Sequence, residues 1–340
     1  MHAASVPPSA AYRGPIPGTP GAAMSTPRPF ELACPDLTAE RTGNTDTPGV
    51  WHFDSGAPGR HVLITALIHG NELCGAWALK TFLASGLRPA RGKLTMAFCN
   101  LAAFDRFDPE NYLRSRLVEE DMNRVWSAEK LADPSTHERR RAAELRPWVD
   151  QADWLLDLHS MSNSDVPLQL TGLLPRNIEL GLQLGTPSKI IADAGHAAGV
   201  RMRDYGRFGE PGDNGTRSLL IECGFHGAPA ARDVAIDQMA RFLAASGAFD
   251  RAELPAGWFM PDAPSQQALE VTHAIARKNE NFRFAQPWQG LECLPSAGTL
   301  IGWNDDEEVV TPYDNCVLIM PSLGQPRPGV TVVRLARAIA

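Results

Sequence analysis

Three apolar runs in this chain each end on a side chain that can bind a metal or move a proton. His61-Val62-Leu63-Ile64-Thr65-Ala66-Leu67 leads into Ile68-His69-Gly70-Asn71-Glu72. Trp154-Leu155-Leu156-Asp157-Leu158 leads into His159-Ser160, and Leu219-Leu220-Ile221 into Glu222-Cys223-Gly224. Short runs without polar alternation suit strands buried on both faces. Lys93–Cys99 reads as a further strand. Helical segments are expected between them: Glu72 to about Ala84, 134–149, Pro187–Gly199 with proline at its start, and Ala230–Ala245. Alternation of this kind predicts an α/β domain whose largely parallel sheet is covered by helices.

The text changes near residue 250. Pro255, Pro261 and Pro264 mark a linker, and short strand-like runs follow at 268–276, 298–301, 308–310, 316–320 and 330–333. Gly302, Asn304-Asp305, Asp314-Asn315 and Pro321 separate them. This predicts a smaller C-terminal all-β domain. The expected organisation is a disordered tail over 1–45, a catalytic α/β domain over 46–250 and a β-rich domain over 251–340 that caps the site. The first thirty residues hold seven prolines and no apolar periodicity, so they cannot bury enough surface to offset their ordering entropy. They also lack the charged and apolar stretches of a signal peptide. Translation is expected to start at Met1 or at Met24.

Composition removes several classes. No apolar run reaches the length of a membrane-spanning helix. A formal net charge of -7 argues against a general nucleic-acid or polybasic membrane-surface protein. The six cysteines, Cys34, Cys74, Cys99, Cys223, Cys293 and Cys316, form no Cys-x-x-Cys pair and read as free thiols in a reducing cytoplasm. Gly-x-Ser-x-Gly, Gly-x-x-x-x-Gly-Lys and Gly-x-Gly-x-x-Gly motifs are absent.

What remains is the strand-end chemistry. In open α/β sheets, ligand sites form beyond the carboxyl ends of the strands. His69 and Glu72, three apart on a turn into a helix, can bring an imidazole and a carboxylate to one point. His159 ends another buried strand, so it would also lie at the sheet's carboxyl edge. Two His and one Glu with an open position suit a catalytic zinc, one per chain, which acidifies water and polarises a carbonyl. Asp157 shares a strand face with His159 and is a candidate to orient it. Glu222 would be costly as a buried strand-end carboxylate without a task, and is assigned as general base and later general acid. Arg116 and the Asp121-Met122-Asn123-Arg124 loop can stabilise an oxyanion or bind a carboxylate. Each pairing has a plainer reading: His69 with Glu72 as a strand-end histidine beside a helix N-terminal carboxylate, Arg116 and Arg124 as solvated or structural charges. Tyr313 reads as a turn residue, His226 as packing, and Trp126 and Trp154 as core.

In order, His69-Gly70-Asn71-Glu72, Asp121-Met122-Asn123-Arg124, Asp157-Leu158-His159-Ser160 and Ile221-Glu222-Cys223-Gly224 resemble the succinylglutamate desuccinylase/aspartoacylase family, a branch of the zinc carboxypeptidase fold. The resemblance covers roughly residues 50–335. It implies that His69, Glu72 and His159 bind zinc, that Glu222 is the catalytic glutamate, and that Arg116 polarises the scissile carbonyl. It further implies that Asn123 and Arg124 hold the substrate α-carboxylate, and that the reaction is hydrolysis of the amide bond of a small anionic N-acyl amino acid. Specificity does not carry over, because Tyr205, Arg207 and Arg217 miss the positions where aspartoacylase grips its substrate ahead of the catalytic glutamate. A metallocarboxypeptidase of short peptides and a catalytically silent small-anion binder are the alternatives. A homo-oligomer is compatible with either class.

Overall fold

The computed structural model describes residues 28–162, 164, 166–196, 198–324 and 326–339. The expected tail over 1–27, including Met24, lies outside them. The strands are β1 (Val50–Asp54), β2 (His61–Ala66), β3 (Lys93–Phe98), β4 (Trp154–Met161), β5 (Leu168–Leu170), β6 (Lys189–Ala192), β7 (Arg217–Phe225), β8 (Gln267–Ala276), β9 (Arg283–Phe284), β10 (Cys293–Leu294), β11 (Leu300–Asn304), β12 (Glu307–Val310), β13 (Cys316–Ile319) and β14 (Thr331–Ala338). The α-helices are α1 (Leu73–Ser85), α2 (Leu101–Phe104), α3 (Ala128–Ala132), α4 (His137–Gln151), α5 (Pro175–Gln183) and α6 (Pro229–Ser246).

An eleven-stranded sheet runs in the order β1-β3-β2-β4-β7-β5-β6-β8-β14-β13-β10. Its middle is parallel: β3 with β2, β2 with β4, β4 with β7. β5 runs antiparallel to β7 and parallel to β6. The fold is therefore α/β with a mixed, largely parallel sheet. The continuous apolar strands have a layer on each side. Val62, Ile64, Leu156, Leu158, Leu219 and Ile221 pack against α1 and α6 through Leu79, Phe82, Phe242 and Leu243. Leu63 and Leu155 face the other way, onto Leu145 and Val149 of α4. No helix among the described residues is long and apolar enough to cross a membrane.

The β-rich segment is joined to this sheet. β8 pairs in parallel with β6, and β14, β13 and β10 extend the sheet antiparallel beyond it. Strands β12, β11 and β9 form a separate antiparallel sheet.

Two expectations need correction. Pro187–Gly199 is not a helix: Lys189–Ala192 is a parallel strand, in which β-branched Ile190 and Ile191 are fully buried between neighbours. The helix that precedes it is α5. The last third of the expected tail is also ordered. Leu32 and Leu37 enter the main core, the N–H groups of Glu31 and Leu32 both donate to Gly227 O, and Phe30 packs on Phe107 and Tyr112.

Candidate metal centre and active site

The parallel strands deliver their terminal residues to one edge. β2, β4 and β7 lie side by side, with His159 opposite Glu222 across the β4–β7 pair. Beyond β2, Leu67 sits in the left-handed region at φ 58° although it is not glycine. Such a conformation costs on the order of 1–2 kcal/mol, and full burial of the side chain holds it there. It turns the chain so that His69 and Glu72 face the site rather than prolonging the strand. Gly70 is needed for crowding, not for dihedral freedom. A Cβ there would come within 2.4 Å of Phe104 N and Ser115 O. Its N–H instead donates to Arg116 O at 3.2 Å, tying the two site loops together.

His69, Glu72 and His159 converge. One donor atom from each lies within 4.8 Å of the others, and all three residues are buried. Both Nδ1 atoms point at one carboxylate: His69 meets Glu72 Oε1 at 2.8 Å, and His159 meets Glu72 Oε2 at 2.8 Å. The outer ring nitrogens are held by other carboxylates. His69 Nε2 lies 2.9 Å from Asp121 Oδ1, and His159 Nε2 lies 2.8 Å from Asp157 Oδ2. A carboxylate behind each imidazole fixes tautomer and ring orientation and is the usual setting of a metal-ligating histidine. This donor set fits a metal ion. Burial raises the Glu72 carboxyl, but the two imidazoles outweigh it and hold it well below the usual carboxylate range. Burial works against charge on His159, yet Asp157 and Glu72 lift it well above the ordinary imidazole value.

Glu222 stands apart from the converging set. Burial, then the neighbouring Glu72 charge, push its carboxyl up to about 8, with His159 and Arg116 opposing. Its Oε2 is buried without a hydrogen-bond partner. Arg116 bridges Glu72 Oε1 at 3.1 Å and Asp121 Oδ2 at 3.3 Å. Asp121 Oδ1 also accepts from Asn123 N at 2.8 Å. Met202 N donates to Asn123 Oδ1 at 3.1 Å, which orients the amide of this cavity-lining residue. Arg124 Nη1 donates to Asn123 O at 2.6 Å.

All seven residues singled out from sequence line one cavity of about 220 Å³. Tyr313 does not reach it: its hydroxyl pairs with Thr272 Oγ1 at 2.6 Å. His226 does, and holds Ser160 Oγ at 2.8 Å and Ser162 Oγ at 3.2 Å. Sequence reading missed the far wall, made by Asp193, His196, Arg201 and Arg334. A lone arginine at alternating position in the apolar stretch Val332–Leu335 was a usable signal for the last of these.

Residues 58–211 match the family model for the succinylglutamate desuccinylase/aspartoacylase catalytic domain. Over that segment the chain is similar to the succinylglutamate desuccinylase/aspartoacylase family. Solved structures of the same fold include a succinylglutamate desuccinylase/aspartoacylase from Rhodobacter sphaeroides, at 18% identity and TM-score 0.59, covering 84% of this chain and 87% of its own. A succinylglutamate desuccinylase from Vibrio cholerae aligns at 14% identity and TM-score 0.63, over 86% of each chain. The product-bound ectoine utilization protein of Ruegeria pomeroyi aligns at 17% identity and TM-score 0.53, over 82% of this chain and 86% of its own. No curated protein matches the sequence.

Proposed function

We propose that the chain is a zinc-dependent hydrolase of the amide bond in a small N-acyl amino acid. The observation that carries this reading is the pair of imidazole Nδ1 atoms meeting one carboxylate while Glu222 stands beside them with a free oxygen. His69, Glu72 and His159 would hold the metal, which acidifies water and polarises a carbonyl when bound. Glu222 takes a proton from the attacking water and later returns it to the leaving amine. Arg116 donates toward the acyl oxygen as negative charge grows there. The Asn123 NH₂ and the Arg124 guanidinium grip the amino-acid carboxylate. The products are a carboxylic acid and a free amine.

In this reading residues 46–250 form the catalytic domain and 251–340 the part that caps it. Six free thiols support a cytoplasmic setting. Metal analysis of purified protein with amine release over a panel of acyl amino acids tests the proposal. Stoichiometric zinc that falls in His69→Ala and His159→Ala, with turnover on the panel, is the expected result. Unchanged metal content in those variants refutes the ligand set. Faster cleavage of a blocked dipeptide than of any acyl amino acid refutes the substrate class.

A further inference from the structure

Where Glu222 meets His159, the two central strands fall out of step. His159 pairs with Glu222 and Met161 with Phe225, so β4 advances two residues while β7 advances three. The extra residue on β7 falls at Cys223-Gly224, and Gly224 takes φ 107°, a conformation that a side chain would strain. An extra residue of this kind is left outside the ladder and re-aims the side chains next to it. The carboxylate next to it here is that of Glu222. A ladder that skips a residue cannot fix that residue by its own hydrogen bonds, so the hold has to come from elsewhere.

His226, directly beyond β7, supplies it. Its backbone N–H donates to Met161 O at 2.9 Å. Its ring reaches the serines on both sides of Met161: Nδ1 lies 2.8 Å from Ser160 Oγ and Nε2 lies 3.2 Å from Ser162 Oγ. One residue after the irregular step therefore grips residues 160, 161 and 162 at the end of β4. The imidazole is 1% exposed. Burial pushes it down to about 4, so near neutral pH it is uncharged, with one ring N–H and one lone pair. A hydroxyl can donate or accept, so two serines satisfy both ring nitrogens in either tautomer.

The same grip reaches the converging donors, because Ser160 N donates to Glu72 Oε2 at 3.3 Å. Behind His226 the chain is packed. The Tyr112 ring stands edge-on at 6.0 Å from the imidazole, and the next residue, Gly227, accepts through its O from the N–H groups of Glu31 and Leu32. We propose that His226 is a positioning residue: by clamping Ser160 and Ser162 it fixes the skipped step in the β4–β7 ladder and so holds Glu222 in place against His159. This inference rests on the deacylase reading for the task of Glu222.

The test uses the zinc-loaded enzyme, amine release and metal analysis, with His226→Leu, His226→Gln and the double variant Ser160→Ala/Ser162→Ala. Leucine removes both ring nitrogens, glutamine keeps a donor and an acceptor, and the serine changes leave the Ser160 backbone N–H on Glu72. His226→Leu should lower kcat about 10- to 100-fold, the scale on which a misplacement of about 1 Å acts. KM should stay within about twofold of the parent and zinc at the parent level, the pattern of a lost transition-state arrangement rather than lost binding. His226→Gln should recover most of kcat. The serine pair should lower kcat and add little to His226→Leu, because the same bonds are removed. Parent-like kcat in His226→Leu overturns the proposal, as does a glutamine variant no faster than the leucine one. A raised KM at constant kcat overturns it by making His226 a substrate contact. A kcat that falls only in proportion to zinc overturns it in favour of the metal ligands. If His226→Leu does not fold, the serine pair carries the same readings. Absence of turnover by the parent on the whole panel sinks the deacylase reading instead. Crystal structures of the parent and the serine pair then decide for His226: a displaced Glu222 carboxylate supports the clamp, and an unmoved one overturns it.

Discussion

Asp157 and His159, two residues apart on one buried strand, meet at 2.8 Å through Oδ2 and Nε2. The other Asp157 oxygen accepts from Thr65 Oγ1 at 2.7 Å, so the carboxylate is fixed from both sides. It holds the imidazole with Nδ1 toward Glu72. Asp157→Ala should weaken zinc binding about 10- to 100-fold, read by competition with a chromogenic chelator. Parent-like affinity would count against Asp157 as the group that positions His159.

Glu222 is not one of the three converging donors. Glu222→Gln keeps shape and removes the proton acceptor. Turnover should drop by at least about 10²-fold while zinc content stays at the parent level. Loss of zinc together with turnover would move Glu222 into the ligand set.

Glu138 illustrates how a distant side chain sets the loop that leads to Asp121. It is buried on α4, and its carboxylate accepts from the backbone N–H groups of Val118, Glu119 and Glu120 at 2.6–3.2 Å. It also accepts from Asn100 Nδ2 at 3.1 Å. Glu138→Ala orphans these donors, at a cost of about 3 kcal/mol or more. Urea denaturation should register that loss, and KM should rise with it because Asp121–Arg124 continue the same loop. Unaltered KM would separate the anchor from the site.

Gly70→Ala tests the crowding between the two site loops. A methyl group there cannot coexist with Phe104 N and Ser115 O, so the Arg116 turn must shift. A destabilisation of about 1–3 kcal/mol is expected, accompanied by reduced kcat. Parent-like melting and activity would show that the loops yield without consequence.

Far from the site, His61 begins β2 with Nε2 2.7 Å from Thr95 Oγ1 and Nδ1 3.2 Å from Gln151 O. Burial, then His52, push its pKa from 6.5 to about 4. The unfolded chain therefore binds the proton more readily. Stability is intact above pH 6.5 and declines as pH falls from 6.5 toward 4, by at most about 3 kcal/mol from this group. His61→Gln should flatten the pH dependence of the urea midpoint across that window. An identical slope in the variant would assign the acid sensitivity elsewhere, for example to His226, which burial also pushes down to about 4.

Much of this was readable because of where the polar residues fall. β2, β4 and β7 are apolar throughout since they lie between two layers, and so a His or Glu at their ends stands out. Asp157 was legible from its two-residue offset on a strand. The segment at 187–199 was not, because Ile190 and Ile191 fit a buried helix turn and a buried strand equally well until α5 is seen to occupy the layer beside them. Arg201 and Asp193 were invisible for a different reason. Their pairing depends on a loop returning past β6, and no local spacing encodes it. Arg334 lay in a segment expected to cap the site, but its placement there requires β6 and β8 to join, which is a long-range register.

That join has a mechanical consequence. Because β8 is laddered to β6 and β14 to β8, the wall that carries Arg334 is continuous with the sheet that carries Glu222. It is tied to that sheet by backbone ladders rather than by a linker alone. For the proposed reaction, a substrate would then be received between parts of one continuous sheet, with Met320 and Arg334 among the side chains that line its cavity.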